Sequence, residues 1–260
     1  MNRQAIEITS EISAAAELSA LGASPALHPN DHLLAYIVRY SARTKAVGPR
    51  GGVSEYFENG KKDAEQIQTV MSKLNVGSDS KILEFAAGYG RVSRHLAHLD
   101  MTCADIHTDA VEFLTNKFGV SAIKSSDEPE KFDPSETYDF IFVLSFFSHL
   151  PDKLFGRWLA RLSSLLRPNG KLLFTTHGEV AGRTIPILGA VLQPDTGYGY
   201  LSDATDQPDL EAEVYGSSIT TPIYIIRHIY QTEKPMTLIS FSLASWWALQ
   251  DEWIVSASAK

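Results

Sequence analysis

The chain has 260 residues, 44% hydrophobic, enough to fill one large α/β domain and short for two. Its formal net charge of −8, spread along the chain, argues against a broad basic footprint for duplex nucleic acid, and no nucleic-acid partner is expected. One cysteine, Cys103, leaves no internal disulfide framework and fits a reducing compartment.

The first twenty residues include an Ala-rich stretch, but Glu7, Glu11 and Glu17 interrupt it and no basic segment leads into an apolar one. That pattern argues against a secretory signal. No apolar run reaches bilayer-spanning length, so no membrane partner is expected and the predicted location is cytoplasmic. Residues 1 to about 30 read as a helical arm ending at Pro25, Pro29 and Asn30, and Asp31 is placed to cap a helix to about Arg43. Gly48, Pro49, Gly51 and Gly52 predict a turn, followed by an amphipathic helix from Lys61 to Leu74. The domain reading is an N-terminal arm and cap over 1–60 and a catalytic domain over 61–260.

From Lys81 the texture changes to short apolar runs alternating with helical patterns, the mark of βαβ units. Strands are predicted at 81–86, 101–106, weakly at 122–124, at 138–145 and at 170–177. Helices are predicted at about 90–98, 108–118 and 152–166. The last carries Leu154, Trp158, Leu159, Leu162, Leu165 and Leu166 on one face and stops at Pro168-Asn169-Gly170. After Gly178 the rhythm breaks. Residues 196–201 and 213–219 suggest a hairpin inside an insertion of about 179–221. A helix then starts near Pro222, and strands at 236–243 and 252–258 close an antiparallel edge. The predicted fold is α/β: a Rossmann-like, doubly wound, seven-stranded sheet, mostly parallel with an antiparallel last strand. An N-terminal helical segment and a hairpin insertion after strand five complete it.

Chemistry concentrates at the strand ends. Residues 81–91, KILEFAAGYGR, are a buried strand running into a Gly-rich turn and a helix N-terminus. There Gly88 and Gly90 allow close backbone approach to a ligand. Glu84 at the strand end is placed to anchor the turn or meet an amino group. Such a turn alone serves nucleotide, flavin and nicotinamide sites equally, or no ligand at all. Asp105, ending the second strand about 20 residues on, is placed to accept both hydroxyls of an adenosine ribose. Ser126 and Asp127 follow the third strand, where a carboxylate can reach the adenine amine.

With YDFIFVLSFFSHLPD (138–152) and LLRPNGKLLFTTHG (165–178) added, the chain resembles the class I S-adenosylmethionine-dependent methyltransferases of the small-molecule type. Four motifs keep that family's order and spacing over about 100 residues. Asn169 takes the place of the first glycine of LRPGG, and it tolerates the same left-handed turn. Glu84 replaces the commoner Asp, and Ala86 stands where the first glycine of GxGxG usually stands. The resemblance implies S-adenosylmethionine as cofactor and S-adenosylhomocysteine as product. It implies cofactor contacts at Glu84, Ala86, Gly88 and Gly90, at Asp105 and Ile106, at Ser126 and Asp127, and at Leu144 and Tyr56. The acceptor expected from it is a small molecule or glycan precursor.

Methyl transfer from a sulfonium needs chiefly in-line positioning, and a base only where the acceptor must lose a proton. His149 and His177, at the carboxyl ends of the fourth and fifth strands, are the catalytic candidates, against the plainer reading that each orients a loop. Tyr198, Tyr200, Tyr215, Trp246 and Trp247 are candidates for an acceptor pocket or for core. The pairs His95/His98 and His28/His32 have no companion carboxylates in a metal-ligand pattern, so no metal is expected. Two other functions remain open at this level. One is a nicotinamide-dependent oxidoreductase, for which Ser93 stands where a third glycine is wanted. The other is a non-catalytic binding module. Residues 179–221 are expected to act as a lid.

Overall fold

The computed structural model describes residues 23–44, 52–202, 207 and 210–258. The helical arm expected at the N-terminus lies, up to residue 22, outside the described residues. Helix α1 (His32–Thr44) starts where expected, because the Asp31 carboxylate accepts the Leu34 N–H at 2.9 Å. Helix α2 (Gly52–Lys73) begins at Gly52 rather than Lys61. Its buried side chains, Val53, Tyr56, Phe57, Ala64 and Ile67, keep helical spacing on both sides of Lys61, while Gly48, Pro49 and Gly51 of the expected turn lie outside the described residues. The interior Gly60 is also required by packing, since a Cβ there would run into the Arg91 carbonyl. The helix closes with Asn75 in left-handed conformation (φ 56°) and the Val76 N–H on the Met71 carbonyl.

The βα rhythm follows as predicted: β1 (Ile82–Phe85), the single-turn α3 (Ser93–Leu96), β2 (Met101–Asp105), α4 (Thr108–Phe118) and β3 (Ser121–Lys124). Next come β4 (Tyr138–Val143), α5 (Asp152–Ser164) and β5 (Leu166–His177). Strand β5 starts before the expected Gly170, because Leu166 already pairs with Tyr138. The Arg167–Gly170 stretch then bulges, with Asn169 at φ 62°, before Lys171 pairs with Phe140. The insertion carries two short helices that the sequence reading did not foresee, α6 (Glu179–Thr184) and α7 (Pro186–Gly189). It also carries the expected hairpin, β6 (Tyr198–Leu201) on β7 (Ser217–Thr220). Helix α8 (Pro222–Tyr230), capped by the Thr221 side chain, leads to β8 (Met236–Trp246) and β9 (Gln250–Ala257).

Seven strands form one mixed sheet in the order β3-β2-β1-β4-β5-β9-β8. The β1–β4, β2–β3 and β4–β5 pairs are parallel, and β9 runs antiparallel to both β5 and β8. This is the Rossmann-like arrangement expected, with a reversed strand inserted near one edge.

The chain divides into two compact units. The first comprises Met1–Asp79 and Ala87–Lys124. Ala23, Val53, Tyr56 and Phe57 form one of its cores, and Tyr89, Ala110 and Phe113 another. Its buried Arg94 donates to the carbonyls of Ser24, Ala26 and Gly90, and its guanidinium lies over the Phe57 and Phe118 rings. The second unit comprises Ser80–Ala86 and Ser125–Lys260. Its core is aromatic: Trp158 meets Phe85, Phe132 and Phe146, while Phe147 meets Phe155 and Phe174.

Candidate active site

In the first unit the Gly-rich turn and the end of β2 lock onto each other. The Ala87 N–H bonds the Ala104 carbonyl at 3.1 Å, and the Gly88 N–H donates to Asp105 Oδ2 at 2.7 Å. Asp105 Oδ1 accepts from the His107 backbone N–H at 3.0 Å and lies 2.9 Å from His107 Nδ1. Three donors leave about one of a carboxylate's roughly four lone-pair sites for an incoming hydroxyl. The two glycines do different work. At Gly88, φ is 55° and a Cβ would meet no heavy atom within 4 Å, so the turn leaves open space there. At Gly90, φ is 74° and a Cβ would collide with Phe118 and Leu114, so that glycine serves helix packing. Ile106 is half-buried beside Asp105.

Tyr56 is turned inward. It is 1% exposed, and its hydroxyl donates to Asp31 at 2.6 Å. Burial raises the Asp31 carboxyl above its ordinary range, against the lowering effect of that hydrogen bond. Tyr56 therefore supports the 23–31 segment. On the same unit His28 stacks on Tyr89 at 4.6 Å, and the Tyr89 hydroxyl and the Asn30 amide both donate to Asp109.

The chain enters the turn through Ala86, held at φ 59°. An L-residue pays roughly 1–2 kcal/mol in that region, which is the physical reason glycine usually occupies this place. Substituting Ala86→Gly relieves that strain and costs about 0.4–1 kcal/mol in unfolded-chain entropy. A net stabilisation of about 0.5–1 kcal/mol is expected, read as a higher urea midpoint at constant slope.

In the second unit Glu84 is buried in β1. Ser126 Oγ donates to Asp127 and accepts the Glu128 N–H, so this pair shapes a turn, with Asp127 exposed. Leu144, half-buried, follows β4. His149 and His177 come together, ring centroids 6.0 Å apart. His149 Nδ1 lies 2.6 Å from the Gly216 carbonyl, and His177 Nδ1 lies 3.2 Å from that of Ser218. A carbonyl only accepts, so each imidazole carries its proton on Nδ1 and presents Nε2 as an acceptor. Burial, helped by His149, pushes His177 down to about 3, against the bond to Ser218.

One side chain not singled out from the sequence meets His177 directly and His149 through Ser145. Gln250 Nε2 lies 2.9 Å from Ser145 Oγ, 3.3 Å from Ser148 Oγ and 3.3 Å from His177 Nε2. Its Oε1 accepts the Thr175 hydroxyl at 2.6 Å, and Thr175 in turn accepts the Ser145 N–H. Gln250 gave no signal, because it falls between two predicted strands and amide side chains carry no motif.

The insertion is fixed to this cluster. Gly216 and Ser218 donate backbone N–H groups to the carbonyls of His149 and Ser148, and the Ser218 and Thr220 hydroxyls reach those of Phe147 and His177. Strand β7 is thus a stitched wall. Of the aromatic residues named from sequence, Tyr215 stacks on His149 at 4.6 Å. Tyr198 and Tyr200 bond the Leu150 and Ala212 carbonyls. Trp246 is fully buried, with its indole N–H on Glu252.

A Gly-rich turn locked to the carboxylate ending β2, under this strand order, defines a class I methyltransferase fold. Known proteins agree. Residues 83–172 match the family model described as a methyltransferase domain. An uncharacterized methyltransferase of Anoxybacillus flavithermus is 28% identical over 167 residues, 64% of this chain and 74% of the relative. Among solved structures, an S-adenosylmethionine-dependent methyltransferase from Clostridium acetobutylicum superposes with TM-score 0.57 at 13% identity, covering 86% of this chain and 98% of that one. The magnesium protoporphyrin IX methyltransferase of Synechocystis PCC 6803 superposes with TM-score 0.57 at 13% identity, covering 87% and 98%. The glycopeptide N-methyltransferase MtfA superposes at 0.54 with 14% identity, covering 77% and 90%. At such identities the superpositions show a shared fold. Residues 83–172 form a methyltransferase domain of the class I, S-adenosylmethionine-dependent type, and the chain is a methyltransferase rather than a nicotinamide-dependent oxidoreductase. No helix among the described residues is long and apolar enough to cross a membrane.

Proposed function

We propose that this chain transfers the methyl group of S-adenosylmethionine to a small-molecule or glycan-precursor acceptor in the cytoplasm, releasing S-adenosylhomocysteine. The reading extends over 61–260, with 1–60 as an arm and cap and 179–221 as an insertion on the acceptor side. The observation that carries it is the Gly88–Asp105 bond, which presents a buried carboxylate with remaining acceptor capacity beside open space at Gly88. In this reading Asp105 accepts a ribose hydroxyl, Gly88 lets the backbone approach the cofactor, and Ile106 covers the adenine. Ser126 and Asp127 meet the adenine amine. Glu84, Ala86 and Leu144 serve the methionine part. Gly90 and Tyr56 act indirectly, by packing the turn and by holding Asp31. Bound S-adenosylmethionine supplies an electrophilic methyl on a sulfonium, and the protein positions the acceptor in line with it. Of the two catalytic candidates, His149 suits base work, whereas His177 binds a proton too weakly near neutrality.

Asp105→Ala is expected to weaken S-adenosylhomocysteine binding by about 1.5–3 kcal/mol, the range for hydrogen bonds to a charged group. Isothermal calorimetry measures this directly, and an unchanged affinity would remove Asp105 from the site.

A further inference from the structure

Ser145, immediately beyond Leu144 at the end of β4, is held at φ 57°, a conformation that side chains resist. Its backbone N–H is bound to Thr175 Oγ1 at 2.8 Å, so the strained turn is fixed from below. The residue is half-buried, and its hydroxyl stands 3.4 Å from His149 Nε2. Hydrogen accounting gives these bonds one consistent set of directions. The Gly216 carbonyl takes the His149 Nδ1 proton, leaving Nε2 with a lone pair. With the Thr175 hydroxyl donating to Gln250 Oε1, the Gln250 NH2 points at Ser145 Oγ, 2.9 Å away. Ser145 Oγ thereby accepts from Gln250, and its own proton has two acceptors at 3.4 Å, Ser148 Oγ and His149 Nε2, of which the imidazole is the stronger base. Tyr215, stacked flat on the imidazole, fixes the ring plane.

We propose that Ser145 and His149 form a hydroxyl–imidazole proton relay positioned by Gln250, serving an acceptor that must shed a proton to become nucleophilic, in particular a neutral hydroxyl. The inference rests on the methyl-transfer reading above. In the step, the acceptor oxygen forms a bond to the methyl carbon as the sulfonium S–C bond breaks, its electron pair staying on sulfur. The acceptor O–H proton passes to Ser145 Oγ while the Ser145 proton passes to His149 Nε2. The products are a methyl ether, a neutral thioether and an imidazolium that returns its proton to water. Ser145 touches the reacting group, and Gln250 is a positioning residue. The 3.4 Å separation is long for a hydrogen bond and is of the kind that tightens when substrate arrives.

The relay is tested without an acceptor, by long-range ¹H–¹⁵N spectra of histidine-labelled protein at pH 7.5. Both imidazoles should be Nδ1–H tautomers. Ser145→Ala should displace the His149 Nε2 resonance by several ppm and leave that of His177 in place. Gln250→Ala should move both. Ser145→Thr, which keeps the hydroxyl, should restore the wild-type His149 signal. A His149 in the Nε2–H form, or a Ser145→Ala spectrum unchanged at His149, overturns the relay. Calorimetry with S-adenosylhomocysteine separates the failures. If Ser145→Ala loses cofactor affinity, Ser145 serves the cofactor and the relay is wrong. If wild type does not bind, the underlying reading falls and the relay with it.

Discussion

Gly88→Val is expected to reduce S-adenosylhomocysteine affinity at least about 100-fold, about 2.7 kcal/mol, while leaving the circular dichroism spectrum unchanged. The argument rests on where the side chain would go. A Cβ at Gly88 meets no heavy atom within 4 Å beyond its chain neighbours, so a side chain there starts into open space. Its structural penalty is the left-handed backbone at φ 55°, about 1–3 kcal/mol, which a domain of ordinary stability of about 5–15 kcal/mol survives. What the isopropyl group fills is the space beside the Gly88 N–H and Asp105. Gly90→Val is the contrasting variant. There the new side chain would run into Phe118 and Leu114, so the fold itself should suffer, with a lowered thermal midpoint. If Gly88→Val binds as wild type does, the open space at the turn is not the cofactor's place.

The contrast between these glycines shows what was legible in the sequence. The strand, turn and carboxylate were readable, because a buried apolar run, a Gly-rich turn and an acidic residue about 20 positions later follow from period and spacing alone. That Gly90 is required by α4 was not, since it depends on Phe118 meeting the turn from the far end of that helix. The early start of α2 was hidden for a similar reason. Amphipathic spacing alone marks the helix only from Lys61, and its first turns are explained once Tyr56 and Phe57 are seen to be buried against Ala23 and Val53. Tertiary packing overrode propensity there. In the second unit His149 and His177 stood out as titratable groups at strand ends. Their partners did not, because the carbonyls of Gly216 and Ser218 belong to the backbone and every residue has one. Gln250 and the left-handed Ser145 were invisible for the same reason: neither residue type announces its role, and only the pairing of β5 with β9 sets Gln250 opposite His177.

His177 should make the protein acid-labile in a way that one substitution removes. Its folded-state value of about 3 lies below the ordinary value of about 6.5, because burial disfavours the imidazolium. Above pH 6.5 the residue is neutral in folded and unfolded chains alike and contributes no pH dependence. Between pH 6.5 and 3 the unfolded chain binds a proton that the folded chain does not. Stability therefore falls as pH falls, by about 1.4 kcal/mol per unit, and flattens below pH 3. At pH 4.5, two units into that window, His177 alone accounts for a loss of about 2–3 kcal/mol. His95, pushed down to about 4 by burial and neighbouring cations, acts in the same direction, while Asp31, whose carboxyl is raised by burial, acts in the opposite one. Substituting His177→Gln keeps an amide able to reach Ser218 and Gln250 but removes the titration. Urea unfolding at pH 7.5 and at pH 4.5 gives four stabilities. The wild type should lose about 2–3 kcal/mol more than the variant between the two pH values, whatever the variant costs at neutral pH. Equal losses would mean that His177 accepts a proton readily in the folded chain, and it would then compete with His149 as the base.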